Sequence, residues 1–342
     1  MSASRLYVAA FAAALSLGVP SLAAAQAAAD ATTPHDVKEL TAAARAGEAE
    51  AAYELGLAYR DGLGVPADPA QAVRWFRKAA EQGLPRAHHQ LGRMLERGEG
   101  APKNPTEAAG WYEKAAQAGV APAMFALGQL YRDGRGVAKD EEAAAGWFRA
   151  AAERNFVPAQ LAFAILRQKG LGVAKDEDDA AQWFARAARQ GSAESAYRMA
   201  LLLLNRTPET VLGHGPSRTV LQAMNWLERA ARQGYAPAEY ALATAHMDGI
   251  DAPLDTNLAV SYLFRAADQG LPEALFDLGL LYKDGLAGLA QNPGRAYLYL
   301  SLAAERGAEA EDALKEVTAQ LPASQLPAAK RRVRDWKDMR GL

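Results

Sequence analysis

Residues 123–152 read AMFALGQLYRDGRGVAKDEEAAAGWFRAAA, and close copies of this text recur along most of the chain. The tryptophans of four copies, Trp75, Trp111, Trp147 and Trp183, are 36 residues apart. A fixed period of this length is typical of arrays in which each copy folds as one helix pair. The sequence therefore predicts a single elongated all-α solenoid, although a chain of 342 residues is long enough for two ordinary domains.

A recurring glycine marks the boundary between successive copies and divides residues 47–306 into seven units, each of which begins at this position. The units are 47–82, 83–118, 119–154, 155–190, 191–233, 234–269 and 270–306. Asn155 stands where the other units have glycine, and asparagine is the next best residue for a left-handed helix cap. Each boundary therefore predicts the end of a helix.

Each unit contains two helical patterns separated by a glycine-rich turn. In the third unit the first pattern, helix A, has one apolar face made of Ala123, Leu127, Gly128 and Tyr131. Helix A ends at Gly134 and Gly136, and Asp140 is placed to cap the second helix, helix B. The face of helix B is carried by Ala144, Trp147, Phe148, Ala151 and Ala152.

Small residues occupy one column of helix A and predict the close approach of a neighbouring helix. They are Gly56, Gly92, Gly128, Ala164, Ala200, Ala243 and Gly279. We expect the tryptophan column of helix B to lie in the core, including Tyr262 and Tyr299, which replace tryptophan in the last two units. One unit has few large side chains, so stability must come from the interfaces between stacked units.

The repeated text resembles the Sel-one-like repeat family, a relative of tetratricopeptide repeats. The residues of the first unit that match the family pattern are Leu55, Gly56, Tyr59, Gly62, Gly64, Val65, Asp68, Ala72, Trp75, Phe76, Ala79 and Ala80. The resemblance covers residues 47–306 and implies a right-handed superhelix of antiparallel helix pairs. It also implies an adaptor or regulatory protein, often one of the bacterial envelope.

The first 27 residues have the pattern of a secretory signal peptide. Arg5 is their only charge, an apolar run extends from Leu6 to Val19, and small residues follow Pro20, with cleavage expected after Ala25 or Ala27. The run is shorter than the roughly 20 residues that span a bilayer, so we expect no membrane span in the mature chain. With no cysteine in the sequence, we predict a periplasmic protein, with release outside the cell as the alternative.

The charge balance and the ends of the array complete the domain prediction. The formal net charge is -2, so bulk attraction to nucleic acid is not expected. Residues 28–46 are predicted to form an N-terminal cap with a helix over Asp36–Ala46, and residues 307–342 a C-terminal cap with helices over Glu309–Gln320 and Leu326–Lys337. The last helix carries a basic cluster, interpreted as a solvated face rather than an anionic-surface site: Lys330, Arg331, Arg332, Arg334 and Lys337.

The fifth unit departs most from the pattern. It lacks the Gly-x-Gly-Val turn and carries about seven extra residues around Asn205–Thr219. A surface insertion is the simpler interpretation, and a loop that contacts a partner is the alternative. The seventh unit has a turn, Gly285–Gly288, that is one residue longer than usual.

Residues for catalysis, metal binding or cofactor binding are not found in the expected patterns. The sequence has no G-x-S-x-G, no S-x-x-K and no H-E-x-x-H motif, and adjacent His88 and His89 point about 100° apart on a helix. We therefore predict a protein without enzymatic activity, metal or cofactor. The resemblance leaves open an envelope hydrolase or penicillin-binding protein, in which Ser195 or Ser261 would be tested, and the aromatic side chains leave open glycan binding.

The predicted binding surface lies on the A helices. The column six residues after each boundary is Tyr53, His89, Phe125, Leu161, Tyr197, Tyr240 and Phe276. By analogy with tetratricopeptide repeats, this column faces a concave groove, where it could hold a peptide or helix of another envelope protein. Leu201, Leu204 and Met247 place a possible hot spot near units five and six. Packing between adjacent A helices is the alternative, and we expect a monomer.

Overall fold

The computed structural model describes residues 37–205, 217–249 and 251–340. These residues form α-helices and no strands. The helices are α1 (Val37–Ala46), α2 (Ala49–Asp61), α3 (Pro69–Glu81), α4 (Pro85–Arg97), α5 (Pro105–Gln117), α6 (Ala121–Asp133), α7 (Glu141–Glu153), α8 (Val157–Lys169), α9 (Glu177–Arg189), α10 (Ala193–Asn205), α11 (Arg218–Arg232), α12 (Ala236–Asp248), α13 (Thr256–Asp268), α14 (Pro272–Asp284), α15 (Pro293–Glu305), α16 (Glu311–Gln320) and α17 (Leu326–Asp338).

The helices form two compact units that are larger than the repeats, Met1–Lys139 and Asp140–Leu342. We call these the first and the second unit, and each of the seven copies a repeat. In the first unit, each of the helices α1 to α5 packs against the next one along the chain, so that α1 to α6 are packed in sequence. In the second unit, α7 to α15 do the same, and both α16 and α17 pack against α15. This sequential packing of helix pairs confirms the predicted all-α solenoid. The predicted signal peptide and most of the insertion in the fifth repeat lie outside the described residues.

The predicted caps explain where the helices begin and end. Asp140 accepts a hydrogen bond from the backbone N–H of Ala143 at 2.9 Å, so it satisfies a free donor at the start of α7. The same position caps other B helices through Asp68, Asn104, Asp176, Asp255 and Asn292. Helix α6 ends at Gly134, which has φ 66°, and Asn155 has the predicted left-handed φ of 62°.

The small column of helix A faces the largest buried side chain of helix B. A methyl group built on Gly56 would lie 2.7 Å from the ring of Phe76, and one built on Gly279 would lie 2.6 Å from Leu300. Both separations are shorter than a carbon contact allows, so glycine lets the two helices of these repeats approach. The predicted close approach is therefore observed, and it lies within the helix pair.

The prediction that the tryptophan column lies in the core was wrong. Trp147 is half-buried, whereas the next residue, Phe148, is 1% exposed. Successive side chains on a helix differ by about 100°, so only one of the two can point at the middle of the pair. In several repeats a cation three residues later covers the half-buried ring, as with Lys114 Nζ at 4.1 Å from the centre of Trp111.

Neighbouring repeats are joined by a second set of glycines and by buried polar side chains. A methyl group on Gly172 would lie 2.0 Å from the carbonyl oxygen of Glu141, so the turn of one repeat rests on the first residue of the preceding helix B. Buried Gln160 donates to the carbonyl oxygen of Ala152 at 3.3 Å, which satisfies the end of that helix. The fourth repeat therefore docks on the third at both ends of helix B.

The C-terminal helices cover the last repeat. Ala329, Val333 and Trp336 of α17 are buried, which is the stripe expected from the sequence together with half-buried Leu326. The guanidinium groups of Arg306 and Arg340 lie 5.1 and 4.2 Å from the centre of the Trp336 ring. Arg340 also donates to Asp268, 72 residues earlier, at 2.8 Å. We call this group of four residues the C-terminal clasp: Asp268, Arg306, Trp336 and Arg340.

Candidate functional site

In the first unit, the predicted binding column packs against the B helices. Tyr53 is 8% exposed, its ring centre lies 5.6 Å from that of Phe76, and the Arg86 guanidinium lies 4.3 Å from the Tyr53 ring. His89 is half-buried and lies 5.9 Å from the ring of Tyr112. Burial lowers the pKa of His89 to about 4, with a further contribution from the Arg93 cation. These contacts leave Tyr53 little free surface.

Phe125, the third member of the column in the first unit, is half-buried on α6. Two of the basic side chains beside this column are paired. Arg60 donates to Asp61 and to Gln90 of the next repeat, and Arg135 donates to Glu96 at 2.8 Å. The buried Nε of Arg93, next to His89, has no hydrogen-bond partner among the described residues. The charges beside the column are therefore only partly paired.

In the second unit, the predicted residues are half-buried and lie in two neighbouring clusters. Tyr197 packs at 5.5 Å from the ring of Tyr235, and Leu204 contacts the same group of buried residues. Tyr240, Met247 and Phe276 pack against the core formed by α13 to α17. Leu201 is also half-buried on α10. The structure thus packs Tyr240, Met247 and Phe276 against one and the same core.

An apolar groove of the second unit lies between α12 and α14, and we call it the α12–α14 groove. Its volume is about 300 Å³. The residues that line it are Ala243, Thr244, Met247, Asp248, Leu263, Asp277, Leu280, Leu281, Asp284 and Leu286. Buried Leu263 of α13 closes the floor, while Leu286 is 53% exposed at the rim. Such an exposed apolar concavity is typical of a binding site.

The local sequence explains how these side chains come together. Helices α12 and α14 end at Gly249 and Gly285, both in the left-handed conformation, and Leu286, the first residue after Gly285, lines the groove. The turn after Gly285 is one residue longer than the usual turn, and Leu286 belongs to it. Sequence reasoning found Met247 but missed Leu280, Leu281 and Leu286. The longer turn was the available signal.

The α12–α14 groove contains three carboxylates. Tyr240 donates from its hydroxyl to Asp277 Oδ2 at 3.0 Å, which ties the A helices of two successive repeats together. Burial raises the pKa of the Asp277 carboxyl, the hydrogen bond from Tyr240 opposes the rise, and the nearby Glu273 adds to it. Burial also raises the pKa of Tyr240. Asp248 and Asp284 are exposed at the ends of α12 and α14.

A larger cleft of about 820 Å³ lies between the B helices α7 and α9 of the second unit. It is lined by charged side chains that already have partners. Arg167 donates to Asp176 and Asp179 at 2.7 and 2.6 Å, and Arg149 pairs with Glu153 at 2.8 Å. An incoming ligand would have to replace these pairs, so this cleft is a weaker candidate than the α12–α14 groove.

The two serines considered for catalysis are engaged in local hydrogen bonds. Ser195 is fully buried, and its hydroxyl accepts a hydrogen bond from Ser192 at 2.7 Å. The hydroxyl of Ser261 donates to the backbone carbonyl of Leu258, also at 2.7 Å. Neither hydrogen bond is to a general base, so neither serine has the environment of an activated nucleophile.

The described histidines are part of the packing. His88 Nε2 lies 2.9 Å from the carbonyl oxygen of Ala80, and His246 Nδ1 lies 3.0 Å from that of Pro253. Across residues 37–205, 217–249 and 251–340, no group of three or more His, Cys, Asp or Glu side chains could hold a metal ion. His35 and His214 fall outside these ranges.

Within the part of the chain that the structure describes, no helix is both long enough and apolar enough to cross a bilayer.

Comparison with known proteins gives one family and several solved structures. The model of the Sel1 repeat matches residues 49–84, 85–120, 121–156, 157–192, 193–235, 236–271 and 272–307. These limits begin two residues after the glycine boundaries and describe the same seven repeats. No curated protein sequence matches the chain.

Two solved structures resemble most of the chain. A Sel1 repeat protein from Oxalobacter formigenes is 31% identical, with a TM-score of 0.68, and the match covers 82% of this chain and 79% of that one. A protective antigen of uropathogenic Escherichia coli, described as an SLR fold, is 28% identical, with a TM-score of 0.62. That match covers 88% of this chain and 70% of the antigen.

Proposed function

This chain belongs to the Sel1 repeat family, and from that premise we propose that it is a non-enzymatic periplasmic scaffold that binds another envelope protein through the α12–α14 groove. Sel1 repeat proteins serve as protein–protein interaction scaffolds, and they are typically not enzymes. The signal peptide pattern of residues 1–27 supports the periplasmic location, in agreement with a family that is often found in the bacterial envelope.

The observation that carries the proposal is the exposed apolar surface of the groove. Leu286 is 53% exposed, and half-buried Met247, Leu280 and Leu281 lie beside it around one concavity. Burying these side chains under a partner would contribute roughly 25 cal/mol for each Å² removed from water. Two of the predicted partner-binding residues, Tyr240 and Phe276, pack against the same core as Met247 and Leu281, and the Tyr240 hydroxyl joins the two A helices by its hydrogen bond to Asp277.

The other predicted residues do not line the α12–α14 groove. Tyr53, His89 and Phe125 belong to the first unit, where the side chains contact helix B or lie half-buried. Tyr197, Leu201 and Leu204 lie on α10, one repeat before the groove. We expect substitutions at Tyr197 or Leu204 to act on stability more than on binding, because both side chains pack against buried residues.

Site-specific photo-crosslinking in cells tests the proposal. A photoreactive amino acid replaces Leu286 in the full chain, and a matched variant carries it at Leu221, which is 51% exposed on helix B of the fifth repeat. We expect an envelope protein to be crosslinked at position 286 and not at position 221. Crosslinking at 221 alone would move the interaction to the B helices, and recovery of the chain in the cytoplasmic fraction would contradict the location.

A further inference from the structure

The carboxylates of the α12–α14 groove are not balanced by basic side chains among the residues that line it. Its charged lining residues are Asp248, Asp277 and Asp284, whereas its remaining residues are apolar except for Thr244. Lys283, beside Asp284 at the end of α14, is shared between two carboxylates: its Nζ lies 3.9 Å from Asp284 and donates to Glu316 at 2.8 Å. The groove therefore combines an apolar floor with an excess of negative charge.

The helix ends add to this negative potential. Asp248 and Asp284 are the last residues of α12 and α14, and the carbonyl groups at a helix C-terminus carry a partial negative charge. Both ends open on the groove, because Asp248 and Asp284 both line it. A cation placed beside Asp248 and Asp284 would be attracted both by these two carboxylates and by the dipoles of α12 and α14.

A neutral apolar partner fits this surface poorly. Asp277, Leu281 and Asp284 lie on α14, and Leu286 lies in the turn that follows it. A partner that covered the two leucines would therefore also remove water from the two carboxylates. Burying an ionised carboxylate without a partner is strongly unfavourable. The hydrogen bond from Tyr240 satisfies one oxygen of Asp277 but brings no positive charge. The partner must supply that charge as it covers the leucines.

We infer that the α12–α14 groove binds an amphipathic helix with two cationic side chains seven residues apart and apolar side chains between them. The spacing follows from α14, where Asp277 and Asp284 are two turns apart, about 10.5 Å along the axis. Leu280 and Leu281 lie between the two carboxylates on the same helix. A partner helix aligned with α14 meets a carboxylate at each end and leucines in the middle. This inference rests on the proposed function and names the chemistry of its partner.

Synthetic helical peptides of about 18 residues test the inference with the full secreted chain. The first peptide carries lysine at positions i and i+7 and leucine at i+3 and i+4. The second has glutamine in place of both lysines, and the third moves the lysines to the opposite face with unchanged composition. Fluorescence anisotropy of labelled peptides measures each dissociation constant at low and at high salt.

We expect the first peptide to bind at least about fivefold more tightly than the second and third, with an advantage that shrinks at high salt. The double variant Asp277→Asn, Asp284→Asn removes this advantage. The control variant Glu81→Gln, Glu113→Gln also removes two exposed carboxylates, both far from α12 and α14 in the sequence, and keeps the advantage. Circular dichroism confirms that both variants are folded.

The outcomes separate the inference from the proposed function. Equal binding of the lysine and glutamine peptides would overturn the cationic partner while leaving an apolar binding groove. An advantage of the lysine peptide that survives in the double aspartate variant would place its charged contacts elsewhere on the chain and would also overturn the inference. If none of the peptides binds but position 286 is crosslinked in cells, the scaffold proposal stands and the helical cationic partner is wrong.

Discussion

Gly92 of α4 faces the ring of Tyr112 in α5 so closely that an added methyl group would lie 2.9 Å from ring atoms Cδ1 and Cε1. The Tyr112 ring is 1% exposed, so it has no free space into which it could move. Its hydroxyl donates to Glu96 at 2.8 Å, which fixes the ring further. The distance between the two helices of the second repeat therefore depends on the missing side chain of Gly92.

We predict that Gly92→Ala destabilises the chain by about 1 to 2 kcal/mol, because overpacking of the helix pair outweighs the helix propensity of alanine. Gly110 on α5 is the matched control, since it is also a mid-helix glycine but has no atom within 4 Å of an added methyl group. Gly110→Ala should stabilise by about 0.5 to 1 kcal/mol. Urea unfolding followed by circular dichroism measures both. Two variants of equal stability would contradict this packing.

The adjacent residues Trp147 and Phe148 should differ in their contribution to stability. Phe148→Ala removes a ring that is 1% exposed and should cost about 3 to 5 kcal/mol. Trp147→Ala should cost less, about 1 to 3 kcal/mol, because the indole is half-buried and part of its surface stays in water. The comparison uses the free energies of unfolding of the two variants. A larger loss for Trp147→Ala would restore the tryptophan as the core residue.

Stability should fall as the pH decreases from about 6.5 toward about 4. Burial lowers the pKa of His89 to about 4, and burial lowers that of His88 as well, so the unfolded chain binds protons that the folded chain does not. The imidazoles are neutral in both states above this range, and the loss begins when the unfolded state is protonated. It is on the order of 2 kcal/mol for His89, with allowance for its partly exposed ring.

The pH dependence is measured by urea unfolding between these two pH values. The variant His89→Gln should lose less stability over the range than the wild-type chain does. The variant His246→Gln serves as the control for removal of a histidine from the second unit. Parallel curves for wild type and His89→Gln would show that His89 does not contribute.

The contact between Gly172 and Glu141 should be essential for docking of the fourth repeat on the third. Gly172→Ala would place a methyl group 2.0 Å from a backbone carbonyl oxygen, which cannot move without shifting α7. Gly234→Ala is the control, because Gly234 has a similar φ of 74° but no atom within 4 Å of the new methyl group.

We expect Gly234→Ala to cost about 1 to 2 kcal/mol from backbone strain alone, and Gly172→Ala to cost clearly more. Thermal unfolding of the two variants gives the difference. If both lose the same stability, strain at positive φ accounts for the requirement for glycine and the contact with Glu141 is unimportant.

The sequence predicts the helices well because their signals are local. Asp140, Gly134 and Asn155 each act on the backbone within a few residues, so their caps can be assigned from the letters alone. The choice between Trp147 and Phe148 as the buried ring could not be made in this way. Both positions fit a helical period of apolar residues, and only the direction of the paired helix decides between them.

The α12–α14 groove was harder to predict than the fold. Met247 was found because it is apolar at a position of helix A that is charged or polar in most other repeats, for example Arg60 and Arg132. Asp277, in contrast, looks like an ordinary helical surface residue in the sequence. Its role depends on Tyr240, which is 37 residues earlier and one repeat away. Leu286 belongs to a turn of unusual length, and turn length alone does not tell where a side chain points. These residues come together only through the stacking of two repeats.

The C-terminal clasp has a consequence for how the chain would respond to force. Most helix contacts join neighbours in the chain, so tension applied at the C-terminus would peel the array one helix pair at a time. The clasp would be the first contact to break, because Arg340 bridges back to Asp268 and the Trp336 ring lies against both Arg306 and Arg340. In a single-molecule pulling record, it would set the height of the first peak, and regularly spaced smaller peaks would follow.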